Sequence, residues 1–185
     1  LFWCNDNTLR LWCGDNAEIT HIEGHTDRVT GAIELQNRRI LSWSHDTTLR
    51  LWSDEGTEIA GFRGHTDVIE GVIELADGRI LSWSRDATLR LWNSHGAALT
   101  TLEGHTGRVD GAIELRDGRI LSWSRDATLR LWNGNGEHQV TLKGHKSGVY
   151  GAVELANGRL VSWGSDLTLK EWKPDGTPRV VYPPD

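Results

Sequence analysis

Apolar and polar residues alternate in short bursts along this chain, and the bursts recur every forty residues. The second complete period contains four of them: IEGVIEL (Ile69 to Leu75), RILSWS (Arg79 to Ser84), TLRLW (Thr88 to Trp92) and ALTTLE (Ala98 to Glu103). Such runs, rich in β-branched and aromatic residues and bounded by Gly, Asp or Asn, predict strands. No segment sustains a helical period. Each repeat therefore predicts four short strands, and the fold class is all-β. Asp77-Gly78 lies between the first two strands. This pair suits a two-residue hairpin of primed type, in which both positions need positive φ. Asp117-Gly118 and Asn157-Gly158 occupy the same place, but the first repeat has Asn37-Arg38. Arg tolerates positive φ poorly, so a distorted turn is expected there.

The period accounts for an unusual composition of ten Trp and no Met. Trp43, Trp83, Trp123 and Trp163 stand forty apart, as do Trp12, Trp52, Trp92, Trp132 and Trp172. His25, His65, His105 and His145 keep the same step, each after a Gly. Leu1 to Trp12 matches Leu41 to Trp52, so a headless repeat (1–23) precedes four full ones (24–63, 64–103, 104–143, 144–185). Repeats of this length with four strands each suggest propeller blades. Gly-His, then Ser-x-Ser-x-Asp, then Thr-Leu-Arg-Leu-Trp resembles the WD40 repeat along essentially the whole chain. The resemblance implies a β-propeller of four-stranded antiparallel blades, of the recently amplified kind with near-identical copies. Two departures are systematic. Trp43, Trp83, Trp123 and Trp163 stand where WD40 repeats usually carry a small residue. The Asp that often follows the last Trp is replaced by Ser53, Asn93, Asn133 and Lys173.

Each repeat holds a His, a Ser and an Asp, the residue types of a hydrolytic triad. One active site needs one such set, however, and this chain has four. Parity across the second hairpin also places Ser82, Thr88, Arg90 and Trp92 on one face, so that the Trp92 N–H can donate to Ser82. The resemblance implies a structural network running Asp to His to Ser to Trp. Its sets are His25, Ser42, Asp46, Trp52; His65, Ser82, Asp86, Trp92; His105, Ser122, Asp126, Trp132; and His145, Ser162, Asp166, Trp172. The headless repeat has Asp6 and Trp12 but no His, and Phe2 replaces the Ser. No catalytic residue, metal site or cofactor is predicted; His95 and His138 read as isolated, solvated turn residues.

Glu34, Glu74, Glu114 and Glu154 interrupt otherwise apolar first strands. Parity places Glu74 on the Leu81/Trp83 face, away from Arg90. Two readings follow: contacts with the neighbouring blade's Arg10, Arg50, Arg90, Arg130 and Lys170 series, or carboxylates lining a wet central channel.

Where the copies diverge, function is expected. After Gly-His they read TDRVT, TDVIE, TGRVD and KSGVY. One variable column is Arg28, Val68, Arg108 and Gly148, and the next is Thr30, Glu70, Asp110 and Tyr150. Two residues apart on an extended strand, the columns point the same way. The turn before the network Asp adds His45, Arg85, Arg125 and Ser165. The WD40 resemblance puts these places on the top face, near the central opening, where partners dock. A constant frame with variable loops favours one composite surface for a protein or peptide. The alternatives are a lectin-like or small-ligand propeller, expected to repeat one pocket in every blade, and a purely structural array.

Net charge is −6, which argues against a nucleic-acid or anionic-membrane partner. The chain start does not resemble a signal peptide. Cys4 and Cys13 match no metal or redox spacing and read as free thiols in preference to a disulfide, which fits a reducing compartment; a cytoplasmic location is the expectation. WD40 domains usually close with more blades than are present here. The partial blade also lacks its innermost strand, which leaves an edge to pair with another chain. Closure alone as five blades and membership of a longer array are alternatives. The favoured expectation is a head-to-tail homodimer closing a ring of roughly eight to ten blades. Pro183-Pro184 and Glu171, which breaks the Leu pattern of its strand, suggest a natural stop.

Overall fold

The computed structural model describes residues 2–3, 7–13, 18–173 and 177–182. Those residues form nineteen strands and no helix. The first sheet has three strands: β1 (Phe2–Trp3), β2 (Leu9–Cys13) and β3 (Glu18–Ile22). Four four-stranded sheets follow. They are β4 (Val29–Glu34), β5 (Ile40–Ser44), β6 (Leu49–Trp52) and β7 (Glu58–Phe62); then β8 (Ile69–Glu74), β9 (Ile80–Ser84), β10 (Leu89–Trp92) and β11 (Ala98–Leu102). Next come β12 (Val109–Glu114), β13 (Ile120–Ser124), β14 (Thr128–Trp132) and β15 (His138–Lys143). The last sheet is β16 (Val149–Glu154), β17 (Leu160–Gly164), β18 (Leu169–Trp172) and β19 (Pro178–Tyr182). Within each sheet, strands pair antiparallel in chain order, as a meander. Pro183-Pro184, Cys4 and Asp6 lie outside the described residues.

All three turns of a blade share one form, which differs from the two-residue primed hairpin read from Asp77-Gly78. Leu75 N–H donates to Arg79 C=O at 2.8 Å, and Gly78 N–H donates back to Leu75 C=O at 2.9 Å. The loop is thus three residues, a turn followed by one residue in the left-handed region, here Gly78 at φ 82°. The other two loops close through Ser84 N–H to Thr88 C=O and Asn93 N–H to Ala97 C=O. The first repeat is not distorted either. Arg38 takes φ 64° and makes the same closing bonds. The frame holds Arg38 in a conformation that is costly for a residue with a Cβ.

The loop length corrects the face assigned to Glu74. A three-residue loop pairs Glu74 with Ile80, whereas a two-residue loop would have shifted the register by one and reversed the face. Glu74 therefore shares the Ser82/Trp92 side and turns toward the preceding blade. Its Oε2 accepts the Gln36 backbone N–H at 2.9 Å. Glu114 accepts Ala76 N–H at 2.8 Å, and Glu154 accepts Arg116 N–H at 2.9 Å. Glu34, at the first junction, is exposed. The carboxylates join blades, as one reading held, but through main-chain donors and not the Arg series. Arg50 pairs with Glu58 of its own blade at 2.6 Å, and the Arg90 guanidinium lies over Gly64, where an added Cβ would come within 2.5 Å of Nη1.

The core sits between sheets. One face of the second full blade (Leu75, Leu81, Leu89, Leu91, Leu102) packs on the next blade's Val109, Ala112, Ile120 and Trp132. The same seam recurs at the junctions before and after it, and Leu9 and Ile22 of the first sheet pack on Val29, Ala32, Ile40 and Trp52. The systematic extra Trp has a partner that explains it. Gly71 and Trp83 are cross-strand neighbours, and a Cβ on Gly71 would lie 2.3 Å from Trp83 Cζ2. The indole therefore lies flat over a bare strand, as Trp43 does over Gly31, Trp123 over Gly111 and Trp163 over Gly151. Ring and glycine complement each other in every full repeat.

Candidate functional site

The predicted quartets assemble in all four full blades. In the second, the Trp92 Nε1–H donates to Ser82 Oγ at 2.9 Å. Ser82 Oγ and His65 Nε2 lie 2.8 Å apart, and His65 Nδ1 is 2.8 Å from Asp86 Oδ2. One proton arrangement satisfies every group: Trp N–H to Ser, Ser O–H to His Nε2, and His Nδ1–H to Asp. Asp86 also accepts the Thr88 hydroxyl at 2.7 Å and the backbone N–H groups of Thr88 and Thr66 at 2.9 and 3.0 Å. Corresponding bonds join His25, Ser42, Asp46 and Trp52; His105, Ser122, Asp126 and Trp132; and His145, Ser162, Asp166 and Trp172. The side chains of Phe2 and Trp12, and Asp6, lie outside what the structure describes.

Burial by itself would raise the carboxyls of Asp46, Asp86, Asp126 and Asp166. Hydrogen bonds from His, Thr and backbone N–H outweigh it and hold all four well below the usual carboxylate range. For Asp166 the Lys146 backbone N–H is the leading donor. Each network Ser has 0% exposure, and its Oγ already holds an indole N–H and an imidazole nitrogen. That is bracing chemistry: every polar atom is spent on a neighbour.

The variable residues gather at the rim that carries the Gly-His loops and the turns before the network Asp. The column Thr30, Glu70, Asp110, Tyr150 is not a regular strand position. The pairing shifts from Ile69↔Ser84 to Gly71↔Trp83, which leaves Glu70 as an extra residue, and the other full blades repeat the shift. Such bulges re-aim a side chain, and here Thr30, Glu70 and Tyr150 meet residues of neighbouring blades while Asp110 pairs within its own. The Thr30 hydroxyl donates to Ile69 C=O of the next blade at 3.3 Å. Glu70 is ion-paired with Arg85 of its own blade and accepts Arg108 Nη2–H of the next blade at 2.9 Å. Arg108 Nε lies 2.6 Å from Asp110, which is also paired with Arg125. The Arg125 guanidinium stands 4.9 Å above the Tyr150 ring of the following blade. A continuous chain thus runs Arg85–Glu70–Arg108–Asp110–Arg125–Tyr150 over three blades, a feature that sequence spacing did not reveal. Val68 offers its backbone C=O to Arg85 N–H at 3.0 Å, and His45 N–H donates to Arg28 C=O at 2.9 Å. Arg28 itself is exposed. The Ser165 hydroxyl bonds Ser147 at 2.8 Å. His95 is exposed, as expected, but His138 is not isolated: its ring meets Trp132 edge-on, with centroids 5.5 Å apart.

Repeated four-stranded antiparallel sheets, packed face to face and each braced by the same quartet, define a WD40-repeat β-propeller chain with near-identical blades. Such propellers generally serve as protein-interaction scaffolds. No family model and no curated protein matches this sequence. Among solved structures it is similar to the WD40 β-propeller domain of Doa1, at a TM-score of 0.72 and 26% identity. The similarity covers 97% of this chain and 63% of that one, so the chain spans less than two thirds of that propeller's length.

Proposed function

We propose that this chain is a non-catalytic scaffold that docks a protein or peptide on its rim. The carrying observation is the gathering of the divergent columns on that one rim, above a frame that does not vary. The sealed Ser residues support the non-catalytic reading, since a substrate carbonyl cannot reach an oxygen with no exposed surface. The rim also argues against a lectin-like propeller, because Thr30, Glu70, Asp110 and Tyr150 give no repeated pocket. A cytoplasmic setting belongs to the same proposal. The test is affinity capture with the wild-type chain and with Arg108→Ala/Tyr150→Ala. Proteins held by the first and lost by the second, at unchanged melting temperature, are the expected result. Equal capture by both removes the rim from the function.

A specific observation also favours self-association of two copies, head to tail. Trp163 is 41% exposed and Val153 39%, on the face that the following blade covers in the interior seams. A second copy supplies the covering blade and a ring of roughly eight to ten. Glu171, paired with Arg159 at 3.0 Å, stands on this face where Leu51, Leu91 and Leu131 are buried. Burying that pair weakens the seam relative to interior ones, so association is expected to depend on concentration. A monomer mass by light scattering at all concentrations overturns this reading.

A further inference from the structure

We propose that the rim over the third and fourth full blades binds acidic peptide segments, with Arg108, Arg125 and Lys146 as carboxylate donors and Tyr150 as an aromatic floor. This rests on the rim-docking reading above and names the chemistry of the partner. Two loop positions shift toward positive charge along the chain, although Gly148 and Ser165 replace Arg108 and Arg125 in the last blade. Asp27 and Asp67 give way to Gly107 and Ser147, and Thr26, Thr66 and Thr106 give way to Lys146. At these two positions the rim loses carboxylates and gains a cation toward its last two blades.

The remaining carboxylates are sunk beneath the arginines. The side chains of Glu70 and Asp110 are 15% and 8% exposed, whereas Arg85, Arg108 and Arg125 are 42%, 34% and 47% exposed. Arg85 and Arg125 are paired through Nε and Arg108 through Nε and Nη2, while each side chain stays a third to a half exposed. Arg108 is held by two carboxylates, and Arg125 is held on three sides. Arg125 has Asp110 beneath it, the Tyr150 ring beside it, and Gly148 against its stem, where a Cβ would lie 3.0 Å from Cδ. A guanidinium already ordered loses little entropy on binding, and its planar donors match a carboxylate. Tyr150, 49% exposed, supplies contact area next to it. A nucleic-acid ligand fits less well, because the chain as a whole carries a net charge of −6 and Asp27 and Asp67 flank the same rim.

The test is fluorescence anisotropy with a fluorescein-labelled oligo-glutamate peptide on the full chain. Saturable binding that weakens as NaCl is raised is expected. Lys146→Glu and Arg125→Gln are each expected to weaken it about tenfold, with Arg125→Lys retaining part of it. Lys146→Glu guards against misfolding, since the exposed side chain can change while its backbone N–H keeps the 2.9 Å bond to Asp166. Absence of binding by the wild type, indifference to both variants, or capture of oligo-dT in place of oligo-glutamate overturns the proposal. A rim-dependent protein partner that oligo-glutamate does not displace rejects the acidic class alone. Equal capture by Arg108→Ala/Tyr150→Ala and wild type rejects the rim reading beneath it.

Discussion

Arg85 and Asp86 are sequence neighbours, yet they belong to regions built on opposite principles. Asp86 is part of a quartet whose residue types are the same in all four full blades. Arg85 is part of a rim where each junction is bridged differently: Thr30 to a carbonyl, Glu70 to Arg108, Arg125 to Tyr150. The quartet is out of water, so a change in one member strands the others. At the rim the arginines are a third to a half exposed, so water replaces much of what a substitution at them removes, and several chemistries can bridge the same gap. Burial alone does not separate the two, since the Asp110 side chain is 8% exposed against 6% for Asp86; the difference is that the arginine partners of Asp110 reach water and the His65 partner of Asp86 does not.

The sharpest way to break this contrast is Asp86→Ala. It leaves His65, the Thr88 hydroxyl and two backbone N–H groups short of an acceptor. A loss of about 3–4 kcal/mol is expected in urea unfolding, and an unchanged midpoint would remove the quartet from the stability argument. The same group sets a pH dependence. The Asp86 carboxyl is held below its ordinary range in the folded chain, so the unfolded chain binds the proton first. Its contribution is complete above the ordinary carboxylate pKa and is lost as pH falls beneath it. Acid melting curves should show stability falling below about pH 4, with a shallower slope for Asp86→Asn.

Next in size is Gly71→Ala, expected to cost about 2–3 kcal/mol because its Cβ meets the Trp83 ring at 2.3 Å. The same change in a Trp83→Ala background should cost much less, and a double-mutant cycle with no coupling would show that the ring can move aside. At the rim, Glu70→Gln or Arg108→Gln should cost under about 1 kcal/mol and less still at high salt. A rim variant as damaging as Asp86→Ala would erase the distinction between the two regions.

Much of the frame was legible because it repeats. Strand positions and the Ser82/Arg90/Trp92 face followed from period and parity, and the quartets from the resemblance to the WD40 repeat. The Glu face did not, because its parity depended on loop length. Asp77-Gly78 suits both a two-residue loop and a three-residue loop ending in Gly, and only the closing bond from Leu75 to Arg79 distinguishes them. The rim columns were found by their divergence, but their mutual contacts were hidden for a similar reason. The bulge at Glu70 adds a residue that strict alternation cannot place, and Arg108 comes from the next repeat, 38 positions on.

The smallest predicted effect tests how far the frame dictates conformation against local preference. Arg38 occupies the left-handed position that Gly78, Gly118 and Gly158 hold in the other blades, with φ of 64° against 82°, 80° and 79°. Its closing bonds are as short as theirs, so the cost lies in the residue and not in a deformed turn. Arg38→Gly removes a left-handed penalty of about 1–2 kcal/mol. It also gives the unfolded chain extra freedom worth about 0.4–1 kcal/mol. A net gain of about 0.5–1 kcal/mol is expected, read as a higher urea midpoint at unchanged slope. Gly78→Arg should shift the midpoint down by a similar amount. If Arg38→Gly leaves the midpoint where it was, the first turn relaxes at no cost, and the frame is softer at its first hairpin than at the three that follow.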